Sequence, residues 1–478
     1  MQPLKIRSLK LNFVLNNTRL LLNLLVPLII FPYISRVLGP AGLGKVEYAN
    51  SIVSYFVLFT ALGIPTYGIR EIARRRDDPA ERSRVVWELT IILLGTIGIG
   101  YIAYFALVRF VPSLYSDRFL FCVIAPTIFL SSFSYEWFYT GIEDQLYITV
   151  RFIIIKILQI GLVLLLVRKA DDFVIYAGIS IGLNGLSALF NIIRLKRYVQ
   201  PVPFSALNIR RHLKAILLIF VSIVAVNVYV HLDVTMVGAM AGDTAVGLYT
   251  AANRMVRLTL TVVTSLSAVM IPRIENALKN GEKAAYKKYL DTSLRFILLL
   301  GVPCCFGLIA LAPQIIMLFA GAQYAESVLS IRLLAIIIVI VGLAHFVGLQ
   351  VLYPNRKEKY YTIAVSVAAV ANAVFNLVMI PVFKQNGAII GTVLAELIGL
   401  CIQIGFAWRL LHDTVLFSWN TVKYFIAGFG MFTVILFTQN KISNSILISV
   451  FCVGFGALIY AALLLILREK TCLRILKR

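Results

Sequence analysis

Fourteen stretches, spread from near the first residue of this chain to near its last, are each dominated by apolar side chains for 18 residues or more. A helix rises about 1.5 Å per residue, so each is long enough to cross a hydrocarbon core about 30 Å thick. Backbone in lipid must satisfy its own hydrogen bonds, which leaves helices or a closed barrel, and the runs lack the two-residue alternation of barrel strands. The expected fold class is therefore an all-α polytopic membrane protein with 14 transmembrane helices. Their positions are 12–35, 46–68, 86–109, 119–140, 148–167, 173–194, 215–239, 244–272, 293–320, 327–352, 360–383, 386–408, 422–439 and 444–467. With 60% hydrophobic residues and a mean hydropathy of +0.89, a water-soluble globule is excluded.

The net charge of +23 would suggest nucleic acid in a soluble chain. Here its distribution argues otherwise. With the N-terminus inside, cytoplasmic segments hold 31 Lys and Arg and outer segments hold 8, so both termini are expected in the cytoplasm. The basic residues are dispersed over seven inner segments and form no single patch, so nucleic acid is not an expected partner. Lys5, Arg7 and Lys10 precede the first span as in a signal peptide, but no small-residue cleavage site follows, so an uncleaved helix is expected. Six cysteines without CxxC spacing, Cys122, Cys304, Cys305, Cys401, Cys452 and Cys472, read as buried thiols, and no metal site is expected. The lysine-rich connection from Arg273 to Thr292 reads as a short cytoplasmic helix.

The stretch from Tyr33 to Asp78 contains Gly39, Pro40, Gly42 and Gly44 between two apolar runs, and reads as a tight reversal that makes those runs antiparallel neighbours. Much of it returns about two hundred residues later. An offset of 203 places Gly39 on Gly242, Gly44 on Gly247, Ala49 on Ala252 and Asn50 on Asn253; a four-residue drift then puts Pro65 on Pro272. Tyr139 and Tyr147 fall on Tyr353 and Tyr361, and Gly178 and Gly182 on Gly387 and Gly391. Spans 1–6 thus repeat as spans 7–12, with two appended. The expected domains are an N-terminal six-helix lobe at 1–197, a cytoplasmic linker at 198–214, a C-terminal six-helix lobe at 215–412, and two further helices with a basic tail at 413–478. Parallel repeats of this kind place a substrate cleft between two bundles.

Six basic residues remain inside or at the margins of spans: Arg19, Arg151, Lys156, Arg254, Arg257 and Arg332. A cation facing lipid is costly, so these should face protein or a wet cavity. In span 1, Asn12, Asn16, Arg19, Asn23 and Pro27 share one helix face; in span 8, Thr250, Asn253, Arg257, Thr261 and Thr264 do the same, with Arg254 beside them. Asn227 and His231 in span 7, and Asn372 and Asn376 in span 11, are each four apart. The plain reading of the asparagines is helix-to-helix hydrogen bonding, and Arg151 could simply snorkel to the interface. For Arg19, Arg254 and Arg257 the plain reading is pairing with Asp233, Glu88, Glu136 or Glu396. The functional reading is a cationic cavity for an anionic substrate, since the guanidinium fork grips phosphate oxygens in pairs. The candidate binding set is Arg19, Asn23, Asn50, Asn253, Arg254, Arg257 and Arg332. No cofactor is expected; coupling to a proton or sodium gradient would fall to Glu88, Glu136, Asp233 and Glu396.

The hairpin RVLGPAGLGKVEYANSIVSYF (Arg36 to Phe56), followed by GIPTYGIREIAR (Gly63 to Arg74), resembles the opening of bacterial Wzx-type oligosaccharide flippases, which export O-antigen or capsule repeat units. These belong to the superfamily of multidrug, oligosaccharidyl-lipid and polysaccharide exporters. The resemblance implies two six-helix bundles in a V shape, alternating access, and transfer of an undecaprenyl-pyrophosphate-linked glycan from the inner to the outer leaflet of the bacterial cytoplasmic membrane. Membrane lipids, and other proteins of polysaccharide assembly, would be its partners. Arg19 and Arg254 also resemble cavity arginines of lipid II flippases, although span 2 carries no mid-span basic residue, a departure from that type. Two rivals are a cation-coupled multidrug exporter, disfavoured by the basic excess, and a polytopic glycosyltransferase or polymerase, disfavoured by outer connections of about ten residues. A non-enzymatic role is expected.

Overall fold

A computed structural model describes residues 8–411, 416, 418–439 and 445–469, and among them there is no strand. Lys5, Arg7, Lys441, Cys472, the basic residues from Lys470 onward and the side chain of Asn227 lie outside the described residues. Eleven helical stretches among the described residues are long and apolar enough to cross a membrane, two of them, Arg118–Gly141 and Ser327–Leu352, being runs of shorter helices. The chain forms two compact units, Met1–Ala239 and Met240–Arg478.

The first unit opens with α1 (Leu9–Ala61), whose Ser8 cap accepts from the Leu11 N–H. It contains the first predicted span of the hairpin and most of the second, joined at Gly39, where φ is 65° and ψ 178°, a conformation open essentially only to glycine. The chain reverses there. Arg19, early in α1, and Gly68, in α2 (Ile64–Arg74), both lie against residues 136–137, whereas Tyr33 and Gly42, on either side of Gly39, lie against Val167 and Ala170. Asp78 caps α3 (Pro79–Phe110) through the N–H groups of Ala80 and Glu81, with Pro79 at the first helical position.

The span expected at 119–140 is a candidate membrane span at Arg118–Gly141, but its helix is broken. After α4 (Pro112–Ser116) come α5 (Arg118–Ile124), α6 (Pro126–Ser132) and α7 (Glu136–Gly141). Pro126 cannot donate to the preceding turn, and Tyr135 takes a left-handed φ of 47° immediately before α7. Then follow α8 (Gln145–Leu166), α9 (Phe173–Leu195) and α10 (Arg210–Ala241), the last two residues of α10 belonging to the second unit. One core cluster gathers Tyr67, Leu89, Leu93, Trp137, Phe138 and Tyr139. Tyr139, with no exposed surface, donates its hydroxyl to the Asn191 carbonyl at 2.6 Å.

In the second unit α11 (Asp243–Lys279) and α12 (Lys283–Phe319), 37 residues each, are joined by a three-residue turn at Asn280–Glu282 with Gly281 at φ 69°. The region from Arg273 to Thr292 is therefore the adjoining ends of two long helices, not a separate cytoplasmic helix. The next span is broken like its counterpart, into α13 (Ser327–Leu334), α14 (Ile337–His345) and a π-helix at Phe346–Leu352. The closely packed pair α15 (Glu358–Phe383) and α16 (Gln385–Leu411) follows, then α17 (Trp419–Gln439) and α18 (Ser445–Ile466). Glu469, just past α18 and without exposed surface, accepts from Arg295 of α12 at 2.8 Å.

The positions aligned by the sequence repeat share local structure. Gly242 sits at φ 82°, ψ 176°, the conformation of Gly39. The rings of Tyr139 and Tyr147 lie 4.9 Å apart and those of Tyr353 and Tyr361 lie 5.8 Å apart. Other matches do not carry the same role. A side chain at Gly182 would meet nothing, whereas one at Gly391 would strike Asn376 at 2.6 Å. Pro65 starts a helix and Pro272 lies inside one.

Candidate functional site

A guanidinium at bilayer depth requires an anion, an acceptor or water. In the first unit Arg19 of α1 and Arg151 of α8 both donate to a single carboxylate oxygen, Oε1 of Glu136, at 3.1 and 2.9 Å. Arg19 also reaches Asn16 Oδ1 at 3.4 Å. Glu136 is the first residue of α7, so the left-handed turn at Tyr135 places its carboxylate where two transmembrane segments converge. Two cations on one anion leave an excess positive charge. Arg151 is only 8% exposed, against 41% for Glu136, so it does not snorkel; its guanidinium also lies 5.8 Å from the Tyr147 ring centre. On the same face of α1, Asn12 and Asn16 line a cavity of about 820 Å³ with Thr140, Glu143 and Gln145. Asn23 and Asn50 are exposed. Lys156, farther along α8, donates to Gln159 at 2.9 Å.

Glu88 is placed differently. Wholly buried in the third turn of α3, it accepts from the Asn208 N–H at 2.6 Å, from Arg211 Nε at 2.9 Å and Nη2 at 2.6 Å, and from His212 Nε2 at 2.6 Å. His212 Nδ1 faces the Tyr67 hydroxyl at 2.6 Å. Burial pushes the His212 pKa down, and the Glu88 carboxylate opposes that shift only in part. The neutral ring then donates from Nε2 to Glu88 and accepts at Nδ1 from Tyr67. Four donors from the start of α10 and the segment before it thus close on one carboxylate of α3, which clamps these elements together. Asp233 of α10 is buried, and His231 stands edge-on to Tyr55 with ring centroids 6.1 Å apart.

In the second unit Arg257 is exposed and donates from Nε to Asn253 Oδ1 at 3.1 Å, one helical turn away. Arg254 is half-buried beside them, and Glu396 is half-buried on α16. Thr261 and Thr264 bond back to carbonyls of their own helix. Arg332 has a structural partner that the sequence contained. Pro313 has no N–H to offer the carbonyl four residues earlier, that of Ile309, and Arg332 Nε donates to it at 3.3 Å. Asn376 donates to Asn372, and Asn372 to Thr392 of α16, both at 3.3 Å, so this asparagine pair joins helices as its plain reading expects. Of the cysteines, Cys305 and Cys452 are buried, but Cys122 and Cys401 are exposed, which corrects the expectation of uniformly buried thiols.

Sequence reasoning missed Arg194, Asp144, Arg211 and His212. Arg194 donates to Asp144 at 2.6 Å and lies 4.1 Å from the Tyr147 ring centre. All four lie in, or at the edge of, connections between the expected spans. The available signal was the placement of basic residues at the ends of spans that also carry acids.

A family model described as "Polysaccharide biosynthesis protein" matches residues 12–278, and one described as "Lipid II flippase MurJ" matches residues 152–461. A putative O-antigen transporter of Escherichia coli (strain K12) is 22% identical over 80% of this chain and 93% of its own length. A probable low-salt glycan biosynthesis flippase, Agl15, of Haloferax volcanii is 23% identical over half of each chain. In fold, a lipid II flippase MurJ in an inward closed conformation superposes with a TM-score of 0.74 at 16% identity, covering 98% of this chain and 100% of that one. An inward-facing multidrug resistance transporter of the MATE family, in the MOP superfamily, gives 0.62 at 16% identity over 82% and 96%.

Proposed function

The chain belongs to the polysaccharide biosynthesis protein family, and from that premise we propose that it is a Wzx-type flippase, turning a lipid-linked oligosaccharide repeat unit from one leaflet of the bacterial cytoplasmic membrane to the other. The observation that carries this reading is the match to the putative O-antigen transporter of Escherichia coli over nearly that protein's whole length. The role is transport, not catalysis. The finer reading has fourteen spans in two like bundles that alternate access around a wet groove, both termini being cytoplasmic. The hairpin glycines that adopt one backbone conformation at Gly39 and Gly242 support it.

The substrate, on this reading, is a glycan on undecaprenyl pyrophosphate, and the diphosphate is the group that basic side chains hold. Arg19, with Arg151 on the shared Glu136, is one such place; Arg257, oriented by Asn253, and Arg254 beside it are another. Asn23 and Asn50 would present exposed amides to the glycan, and Arg332 would serve only if it released the Ile309 carbonyl. Because Glu136 is partly exposed and shared by two cations, a diphosphate can displace it from either one, whereas Glu88, saturated by four donors, is given a holding role. Asp233 and Glu396 stay as the carboxylates for coupling to a proton or sodium gradient. A lipid II-type substrate is a second reading, favoured by the lipid II flippase family match over residues 152–461.

The test is a double variant, Arg254→Ala with Arg257→Ala, in cells whose surface glycan depends on this protein. Surface glycan is expected to fall at least about tenfold, the worth of one lost charge-assisted contact, while membrane insertion is kept and the double Lys variant recovers part of it. Unchanged glycan in a well-expressed double alanine variant would remove both arginines from the mechanism.

A further inference from the structure

Where α8 begins and α9 ends, the first unit holds a cavity of about 570 Å³, within the range of small-ligand sites. Three arginines line it, Arg151, Arg194 and Arg197, together with a single acid, Asp144. Asp144 is taken by Arg194 at 2.6 Å, and Arg151 is held from outside the cavity by Glu136 at 2.9 Å. Arg197 is exposed. The Tyr147 ring lies beneath two of the guanidinium groups, with Arg194 4.1 Å and Arg151 5.8 Å from its centre. That stacking fixes the planes of the forks.

Two features indicate an occupant. First, the cavity sets three guanidinium groups against one acid: Glu136 engages Arg151, Asp144 engages Arg194 and Arg197 is exposed, so its wall carries net positive charge. An anion with several oxygens complements that charge. Second, the remaining wall is apolar and open: Val150, Ile154, Phe190 and Ile193 are between 45% and 54% exposed. α8 lies within a candidate membrane span and so does α9. Arg194 and Arg197 stand at or just past the end of α9, and Arg151 is about 9 Å along α8 from its first residue. Positive charge therefore lies at the end of the spans, with apolar surface running from it toward their middle.

We propose that this cavity holds the phosphate of an anionic membrane phospholipid, whose oxygens meet the positive charge of Arg197 and Arg194, with Arg151 behind them. Its acyl chains lie along Val150, Ile154, Phe190 and Ile193. A free phosphate would use the arginines alone and leave the apolar wall uncovered, so the lipid is the occupant that satisfies both. The lipid is resident and is not the transported molecule; the cavity shares only Arg151 with the diphosphate site proposed above, so the inference is tested at Arg194 and Arg197.

The experiment uses the purified full-length protein in detergent, titrated with phosphatidylglycerol, phosphatidylcholine or inorganic phosphate, and reads bound lipid by native mass spectrometry and thermal unfolding. Phosphatidylglycerol is expected to bind at least about tenfold more tightly than phosphatidylcholine and to raise the melting temperature, with inorganic phosphate inert at the same concentration. Arg197→Glu, at an exposed position, is expected to weaken phosphatidylglycerol about tenfold without changing melting in its absence. Arg194→Gln should weaken it too. Equal binding of phosphatidylcholine, equal protection by inorganic phosphate, or undiminished phosphatidylglycerol affinity in Arg197→Glu would each overturn the site. None of these readouts involves transport, so their failure would leave the flippase reading untouched.

Discussion

Replacing Glu88 with alanine removes the one acceptor on which the Asn208 N–H, Arg211 and His212 converge. Glu88 has no exposed surface, His212 is 1% exposed and Arg211 is 28% exposed. Breaking a buried pair by deleting one partner costs about 3–5 kcal/mol, because the remaining charge stays desolvated. Arg211 also reaches Glu81 at 3.3 Å on the outer side, so it keeps part of its pairing and the lower half of that range is expected. For a unit of this size each kcal/mol moves the melting temperature by roughly 2–4 °C, so a drop of about 6–16 °C should appear in a detergent melt of the full-length protein. Glutamine separates a clamp from a coupling group. It mimics a protonated carboxyl, so a proton-coupling Glu88 would leave a stable Gln variant whose transport ignores the proton gradient. In a clamp its amide N–H groups face the donors of Arg211 and His212, and the Gln variant melts early as well, by about 1–3 kcal/mol. An alanine variant melting within about 2 °C of the parent would refute the clamp.

Gly242→Ala is expected to cost about 1–3 kcal/mol even though a Cβ there meets nothing within 4 Å, because φ 82° with ψ 176° is closed to other residues. Gly98→Ala in α3, equally open but helical, should instead stabilise by about 0.5–1 kcal/mol; similar melting of the two variants would show that backbone conformation is not the cause. His212, whose pKa burial lowers below its unfolded value of about 6.5, favours the neutral ring among Glu88, Arg211, Tyr67 and Glu71. Its contribution is therefore complete above that value and is lost as the pH falls toward the folded pKa, since the unfolded chain takes the proton first. Melting should drop more steeply between about pH 7 and 5 for the parent than for His212→Gln, and a parent that gains stability in acid would refute the assignment.

The helical class and the reversal at Gly39 could be read from the sequence because each has a local cause: apolar length for the first, and a glycine between two apolar runs for the second. The equivalence of Gly39 with Gly242 was legible for the same reason, since a conformation only glycine adopts leaves a trace at fixed spacing. The breaks within 118–141 and 327–352 were less legible. Pro126 and the polar run Ser131–Glu136 mark the first, but residues 334–337 are apolar throughout and Tyr135 takes its left-handed φ with no glycine there to announce it. Partners were the least legible of all. Glu136 lies 117 residues from Arg19, and Glu88 lies 123 from Arg211, so the sequence could name the charged groups but not pair them. Arg332 is the exception that could have been found, since Pro313 identifies by arithmetic the carbonyl it leaves bare.

Helices α11 and α12 are each 37 residues long, about 55 Å, while the hydrocarbon layer is about 30 Å thick. Beyond the expected spans, residues 273–279 and 283–292 leave a double rod of about 10–15 Å, tipped by the turn at Gly281 and carrying Lys279, Lys283, Lys287 and Lys288. Such a rod works as a pointer. A lean of about 10° at its base sweeps the tip through about 2–3 Å, so a probe attached at Asn280 would register rearrangements inside the bilayer that are too small to follow where they begin.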